Sequence, residues 1–145
     1  MNRPAETGVT LVELMLVVAI AAILAAISYP GYRQHVLRAS RTEGQALLLD
    51  AAAREERYFA QNNSYVVATG DLAKLGLPRV TAKGADSTSG RYLLTVESGT
   101  EADGGYRLTA TPQDSQAQDL RCGALSLNTI GEQQSAAGDA ADCWR

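Results

Sequence analysis

Polar and apolar positions fall into three regimes along the chain. From Leu11 to Ile27 the sequence LVELMLVVAIAAILAAI holds seventeen residues and a single charge, Glu13. With Val9, Thr10, Ser28 and Tyr29 the weakly polar stretch reaches 21 residues. At the rise of an α-helix it is about 30 Å long, enough to cross the hydrocarbon core of a bilayer. Pro30 and Gly31 follow. A mid-helix proline lacks its N–H, frees the carbonyl of Ala26 and disfavours helix at Tyr29, so it marks either a helix end or a kink. The second regime, Tyr32 to Gln61, returns to helix formers. Leu47, Leu48, Ala51, Ala52, Tyr58 and Phe59 recur at spacings of 3, 4, 7 and 11, an apolar stripe. Glu55, Glu56 and Arg57 are read as facing elsewhere, and Gly44 weakens the helix by about 1 kcal/mol relative to Ala. The pattern predicts one long, kinked helix from about Leu11 to about Gln61, ending at Asn62-Asn63.

The third regime reads as turns and strands. NNSYVVATGDLAKLGLPR is a turn-rich connection with a short helical piece around Asp71 to Leu75, and Thr81 to Gly90 (TAKGADSTSG) is a small polar loop. Arg91 to Glu97 and Tyr106 to Thr111 are rich in Tyr, Leu, Val and Thr and predict strands. SGTEADGG between them is a hairpin connection with Gly104-Gly105 as turn material. Cys122 to Asn128 alternates as a third strand, and Thr129 to Gln134 supplies part of a fourth. Ser135 to Asp142 is a small-residue loop that Cys143 ties back, with Trp144 on the sheet edge. The fold class is α+β: a long helix whose C-terminal half lies across an antiparallel sheet of three or four strands.

Composition sharpens this. The 145 residues make one domain with a modest core, and 6% aromatics leave that core to Leu, Val, Ala and Tyr. A net charge of −3 and a pI near 5.1 give no chain-wide nucleic-acid footprint. Arg79, Lys83 and Arg91 are too few for a basic strip, so nucleic acid is not an expected partner. Arg33, His35, Arg38 and Arg41 follow the apolar run, either against lipid headgroups or as a solvated helix face. The two cysteines, Cys122 and Cys143, form one disulfide in a secreted chain. In an intracellular one they are free thiols or half a metal site. At 21 residues apart, with His35 as the lone and distant histidine, they make a poor zinc site. Asp114, Asp119, Asp139 and Asp142 read as a Ca²⁺ site or as solvated surface charge, without the spacing of an EF-hand loop. There is no phosphate-binding glycine loop, no HExxH and no nucleophile–His–acid set. The sequence therefore predicts no enzyme, cofactor or metal.

The N-terminus admits three readings. A cleaved signal peptide needs a basic start, a shorter apolar stretch and a small-residue cut site, for which Ala25-Ala26 would serve. Glu13 argues against it, because a carboxylate inside an apolar stretch is costly to insert. A plain membrane anchor leaves Glu13 unexplained. In the third reading a short polar leader ends at Gly8 and the apolar helix is kept after the cut.

The third reading is where a family resemblance enters. GVTLVEL, Gly8 to Leu14, resembles the type IV prepilin signature, with Val9 where the family usually has Phe. The resemblance implies a leader at residues 1–8 cut by a prepilin peptidase between Gly8 and Val9, with N-methylation of Val9. It implies a transmembrane and filament-core segment over 9–30 and a periplasmic pilin domain over 31–145. Glu13 would attract the N-terminus of a neighbouring subunit during assembly, and Pro30 matches a proline at which family filaments loosen their helix. Cys122 and Cys143 match the family's disulfide-bounded C-terminal region. The whole is most like a PilE-type minor pilin. The implied function is that of a type IV pilus subunit, supporting assembly, twitching motility and attachment. Its partners would be major and minor pilins, the inner-membrane assembly platform and, before assembly, membrane lipid. The alternatives are a type II secretion pseudopilin, or a pilin that binds DNA or a host surface.

Overall fold

The computed structural model describes residues 8–145, and its contacts divide the chain into two units that meet between Val36 and Leu37. Helix α1 runs over Leu11–Asn62, 52 residues, and contributes to both. Its helical assignment carries through Pro30, so this proline does not end the helix. In the first unit every large apolar side chain from Val9 to Ile27 is between 51% and 75% exposed. This stretch of helix is apolar all round, and its side chains are exposed among the described residues.

In the second unit α1 has a buried face made by Leu37, Ser40, Arg41, Gly44, Leu48, Ala51 and Glu55. These recur at steps of three and four, with Arg41 beside Ser40, as one side of a helix must. The predicted stripe is partly right. Leu48 and Ala51 are fully buried, Leu47, Ala52 and Tyr58 partly, and Phe59 is exposed. The face is turned toward Gly44 and Glu55. Gly44 sits there because a Cβ would come within 3.1 Å of the Tyr92 ring, which is itself fully buried. The propensity that glycine loses in the helix is offset by the large aromatic it lets in. Glu55, read from the sequence as facing elsewhere, is 0% exposed.

The helix stops at Asn62 because Asn63 turns left-handed (φ 52°), a conformation Asn tolerates better than most residues, and its N–H donates to the Phe59 carbonyl at 2.7 Å. A 3₁₀ segment, Thr69–Leu75, follows and ends at Gly76 (φ 66°). The sheet then unfolds in strict chain order: β1 (Val80–Thr81), β2 (Gly84–Asp86), β3 (Tyr92–Ser98), β4 (Tyr106–Pro112), β5 (Leu125–Asn128) and β6 (Gln133–Ser135). All neighbours are antiparallel. Alternation decides which face is covered. Tyr92, Leu94 and Val96 on β3, Tyr106, Leu108 and Ala110 on β4, and Leu125 and Leu127 on β5 are buried together with Leu48 and Ala51 of α1. Cross-strand pairs Leu94–Ala110, Val96–Leu108 and Leu108–Leu127 hold the register.

The sheet has six strands where the sequence predicts three or four. The additional pair, β1 and β2, lies in the segment read as connection and polar loop. Two and three residues long, with few β-formers, it carries almost no periodic signal. Gly84 (φ 148°) is what allows it, since a Cβ there would lie 2.2 Å from the Leu94 carbonyl oxygen. The β3–β4 connection is organised by Asp103, which accepts from the Thr100 N–H and hydroxyl, from Arg107 and from Asn128. At the C-terminus the Cys122–Cys143 disulfide forms (S–S 2.01 Å), and Cys143 ends a short helix α2 (Ala140–Cys143) capped by Asp139. The bridge closes a loop of about 22 residues and contributes on the order of 3 kcal/mol in the chain-entropy account. Trp144 lies on the sheet edge as the sequence suggests, its indole N–H donating to the Gln134 carbonyl of β6 at 3.0 Å.

Candidate functional site

Of the predicted leader, residues 1–7 lie outside the described residues; Gly8 is exposed and precedes the helix. Thr10 is the residue before α1 begins, and its hydroxyl oxygen accepts the Glu13 N–H at 3.3 Å while its carbonyl accepts the Leu14 N–H. Thr10-Leu11-Val12-Glu13 is therefore the Thr-x-x-Glu pattern of a helix start, a reading the sequence analysis missed although the spacing carries it. It places the carboxylate in the first turn, where the helix dipole favours negative charge. Glu13 is also the sole charged side chain in the exposed apolar stretch from Val9 to Ile27, four residues after Val9. The sequence reading assigned Gly8 and Val9 to processing and Glu13 and Pro30 to assembly; Gly8, Val9 and Glu13 lie at the start of α1. Pro30 is farther along α1, and Cys122 and Cys143 are in the second unit.

In the second unit the most strongly constrained polar group is a buried ion pair. Arg41, 3% exposed, presents its Nε at 2.6 Å and its Nη2 at 2.7 Å to the two oxygens of Asp119, which is 2% exposed. The fork-to-fork hydrogen bonding of Asp119 raises the Arg41 guanidinium further above its ordinary value. Gln116 extends the network, its Nε2 donating to the Leu37 carbonyl at 3.1 Å and to the Tyr92 hydroxyl at 3.0 Å. Two sequence readings change here. Arg41 is not a headgroup contact or a solvated residue but a core group. Asp119 is committed to it rather than to calcium. Asp139 caps α2, Asp142 lies 3.7 Å from Arg121 and 3.9 Å from Arg145, and among the described residues no three acidic, His or Cys groups converge as a metal site.

Beside this pair Arg38, Arg121 and Arg145 line one shallow recess with Asp142. Arg38 comes from α1 and the other two from either end of the disulfide-closed loop, so Cys122–Cys143 and Arg41–Asp119 together hold three exposed guanidiniums around one carboxylate. No local signal marks this cluster, because Arg38 is more than eighty residues from its companions.

Comparison with known proteins places this geometry. Residues 30–126 match the family model described as "Type IV minor pilin ComP, DNA uptake sequence receptor". The chain belongs to the type IV pilin family. Residues 3–29 match the prokaryotic N-terminal methylation motif. The type IV wide pilus major component PilA4 of Thermus thermophilus is 43% identical over 75 residues, covering 52% of this chain and 57% of that protein. The type IV major fimbrial protein FimA of Dichelobacter nodosus is 30% identical over 131 residues, 83% of this chain and 79% of FimA. A solved type IV pilin from Shewanella oneidensis aligns with a TM-score of 0.48 at 23% identity, over 75% of this chain and 98% of that one. This pilin is a structural subunit and not an enzyme.

Proposed function

We propose that this pilin is a minor subunit of a type IV pilus. It is made as a precursor, cut by a prepilin peptidase between Gly8 and Val9 and N-methylated at Val9. Residues 9–30 hold it in the inner membrane as a single pass with the C-terminal domain in the periplasm. It is then built into the filament beside major and minor pilins through the assembly platform, supporting twitching motility and surface attachment. The observation that carries this reading is the apolar part of α1 from Leu11 to Ile27, exposed on every side and bearing one carboxylate at its start. An apolar helix of that kind needs a cover from outside its own domain, and lipid and neighbouring copies are interchangeable covers. A clean deletion tests it. Loss of surface filaments and twitching with secretion of exoproteins intact is the expected result; intact pili with lost secretion would mean a type II pseudopilin instead. Mass spectrometry of the mature protein is expected to find N-methylated Val9 as its first residue.

A second reading has its own support. The matched family description names a DNA uptake sequence receptor, and Arg38, Arg121 and Arg145 supply a small basic recess that the overall acidic balance conceals. On this reading the recess contacts DNA phosphates, adding affinity without sequence choice. For the full-length protein in detergent micelles, replacing all three arginines with Ala is expected to weaken duplex binding similarly for all sequences. The dependence of log affinity on log salt should flatten by about 3 units at most. Fluorescence anisotropy reads both. Unchanged affinity and slope would remove DNA from the list of partners.

A further inference from the structure

The connection that leaves helix α1 is pinned by an unusual group. Glu55 is fully buried, one carboxyl oxygen accepts the Val66 N–H at 3.0 Å, and the other, Oε1, has no hydrogen-bond partner. It is the sole buried side-chain oxygen or nitrogen in that condition among the described residues. Buried polar groups are nearly always satisfied, and an exception marks a place where the structure holds a cost in reserve. The ionisable neighbours make it sharper. They are Glu56 on the same helix, Tyr65 on the connection and Tyr106 on β4, and none is a cation. Tyr65 stacks on Phe59 at 4.4 Å between ring centres and meets the Tyr106 ring edge-on at 5.0 Å, while its hydroxyl donates to Glu56 at 3.2 Å. An ionised Glu55 would thus be buried under the influence of a like charge, with one oxygen bare.

We propose that Glu55 is a proton-operated clasp: protonated, it fastens residues 63–67 against the end of α1, and ionised, it releases them. A neutral carboxyl keeps the Val66 hydrogen bond and leaves only a hydroxyl without an acceptor. A buried carboxylate keeps the same bond but must surrender its hydration at the bare oxygen, which opening of the connection restores. Burial is the first cause raising Glu55, with the Val66 bond opposing and the Glu56 charge adding, and the group is pushed up to about 7. The folded value lies above the ordinary 4.5 of an open chain, so the closed form holds the extra proton. The clasp is fully closed below pH 4.5 and is lost as pH rises through about 7.

Hydrogen exchange of the full-length pilin in detergent micelles tests this, with wild type and Glu55→Gln measured at the same pH so that intrinsic exchange cancels. Gln keeps an acceptor for Val66 and cannot ionise. For residues 63–67 the ratio of wild-type to variant exchange is expected to grow roughly tenfold between pH 6 and pH 8, while the ratio over β3 and β4 stays flat. Glu55→Met serves as a second non-ionising variant should Glu55→Gln lose its fold. A ratio over 63–67 that does not change with pH, or one that changes equally throughout the sheet, would overturn the proposal.

Discussion

Glu13→Ala is expected to leave the pilin in the membrane and take it out of filaments. Insertion should survive because the substitution removes the one charge from a stretch that is otherwise apolar over Leu11 to Ile27. A centrally placed charge costs roughly 2.5–3.5 kcal/mol on insertion scales, and an alanine nothing comparable. Assembly should fail because, among the described residues of that exposed stretch, the carboxylate is the only group able to neutralise the amino end that the proposed cut would create at Val9 of an adjoining subunit. Two opposite charges in apolar surroundings offset each other's desolvation, and deleting one strands the other. The competing account is that Glu13 only completes the Thr10 cap. Glu13→Gln separates the two, since glutamine serves at that capping position as well as glutamate but carries no charge. Both variants should give at least a tenfold lower ratio of sheared-filament to membrane-fraction protein on immunoblots, about 1.4 kcal/mol or more of lost association. Normal incorporation of Glu13→Gln would reduce the carboxylate to a helix cap.

The largest effect on stability is expected at Asp119. Asp119→Ala leaves the Arg41 guanidinium buried at 3% exposure with its principal partner gone. Breaking one side of a buried pair typically costs 3–5 kcal/mol, most of it the uncompensated charge. The cost should be near the upper end, because Gln116, Tyr92 and the Leu37 carbonyl are organised around the same pair and lose their arrangement with it. The double variant Arg41→Leu/Asp119→Leu removes both charges and is expected to recover most of the loss. Thermal and urea unfolding with the disulfide intact measure all three proteins. A single variant within about 1 kcal/mol of wild type would show that water reaches Arg41 and that the pair is not sealed.

Pro30, the strands and the groups that meet in the core differ in how far the sequence revealed them. The front of α1, its end at Asn62-Asn63, β3, β4 and the cysteine bridge were readable because each is a local signal. They are an unbroken apolar run, a residue tolerant of left-handed backbone, period-two alternation, and two cysteines with nothing else to bind. Pro30 is locally compatible with a helix end or a kink, and the continuous helix excludes the end. Arg41 and Glu55 were misread because a charge on an amphipathic helix looks solvated until its partner is known. Asp119 lies 78 residues from Arg41, and Val66 reaches Glu55 only after the chain reverses at Asn63. The same distance hid the arginine recess. β1 and β2 escaped notice for the opposite reason, being too short for any period to show.

The margins of the sheet bear on how such a chain polymerises. β1 and β6 offer two and three residues apiece, and β6 is further covered by the Trp144 indole and the disulfide-tied tail. A border that short, and partly occupied, gives a foreign strand almost no unpaired amides to zip onto. Growth by lateral β-addition is therefore closed to this protein, and head-to-head stacking of sheets would leave no ordered ladder. On the proposed reading the oily shaft would then carry the polymer, and the outer coat would be free to change its chemistry without jamming it.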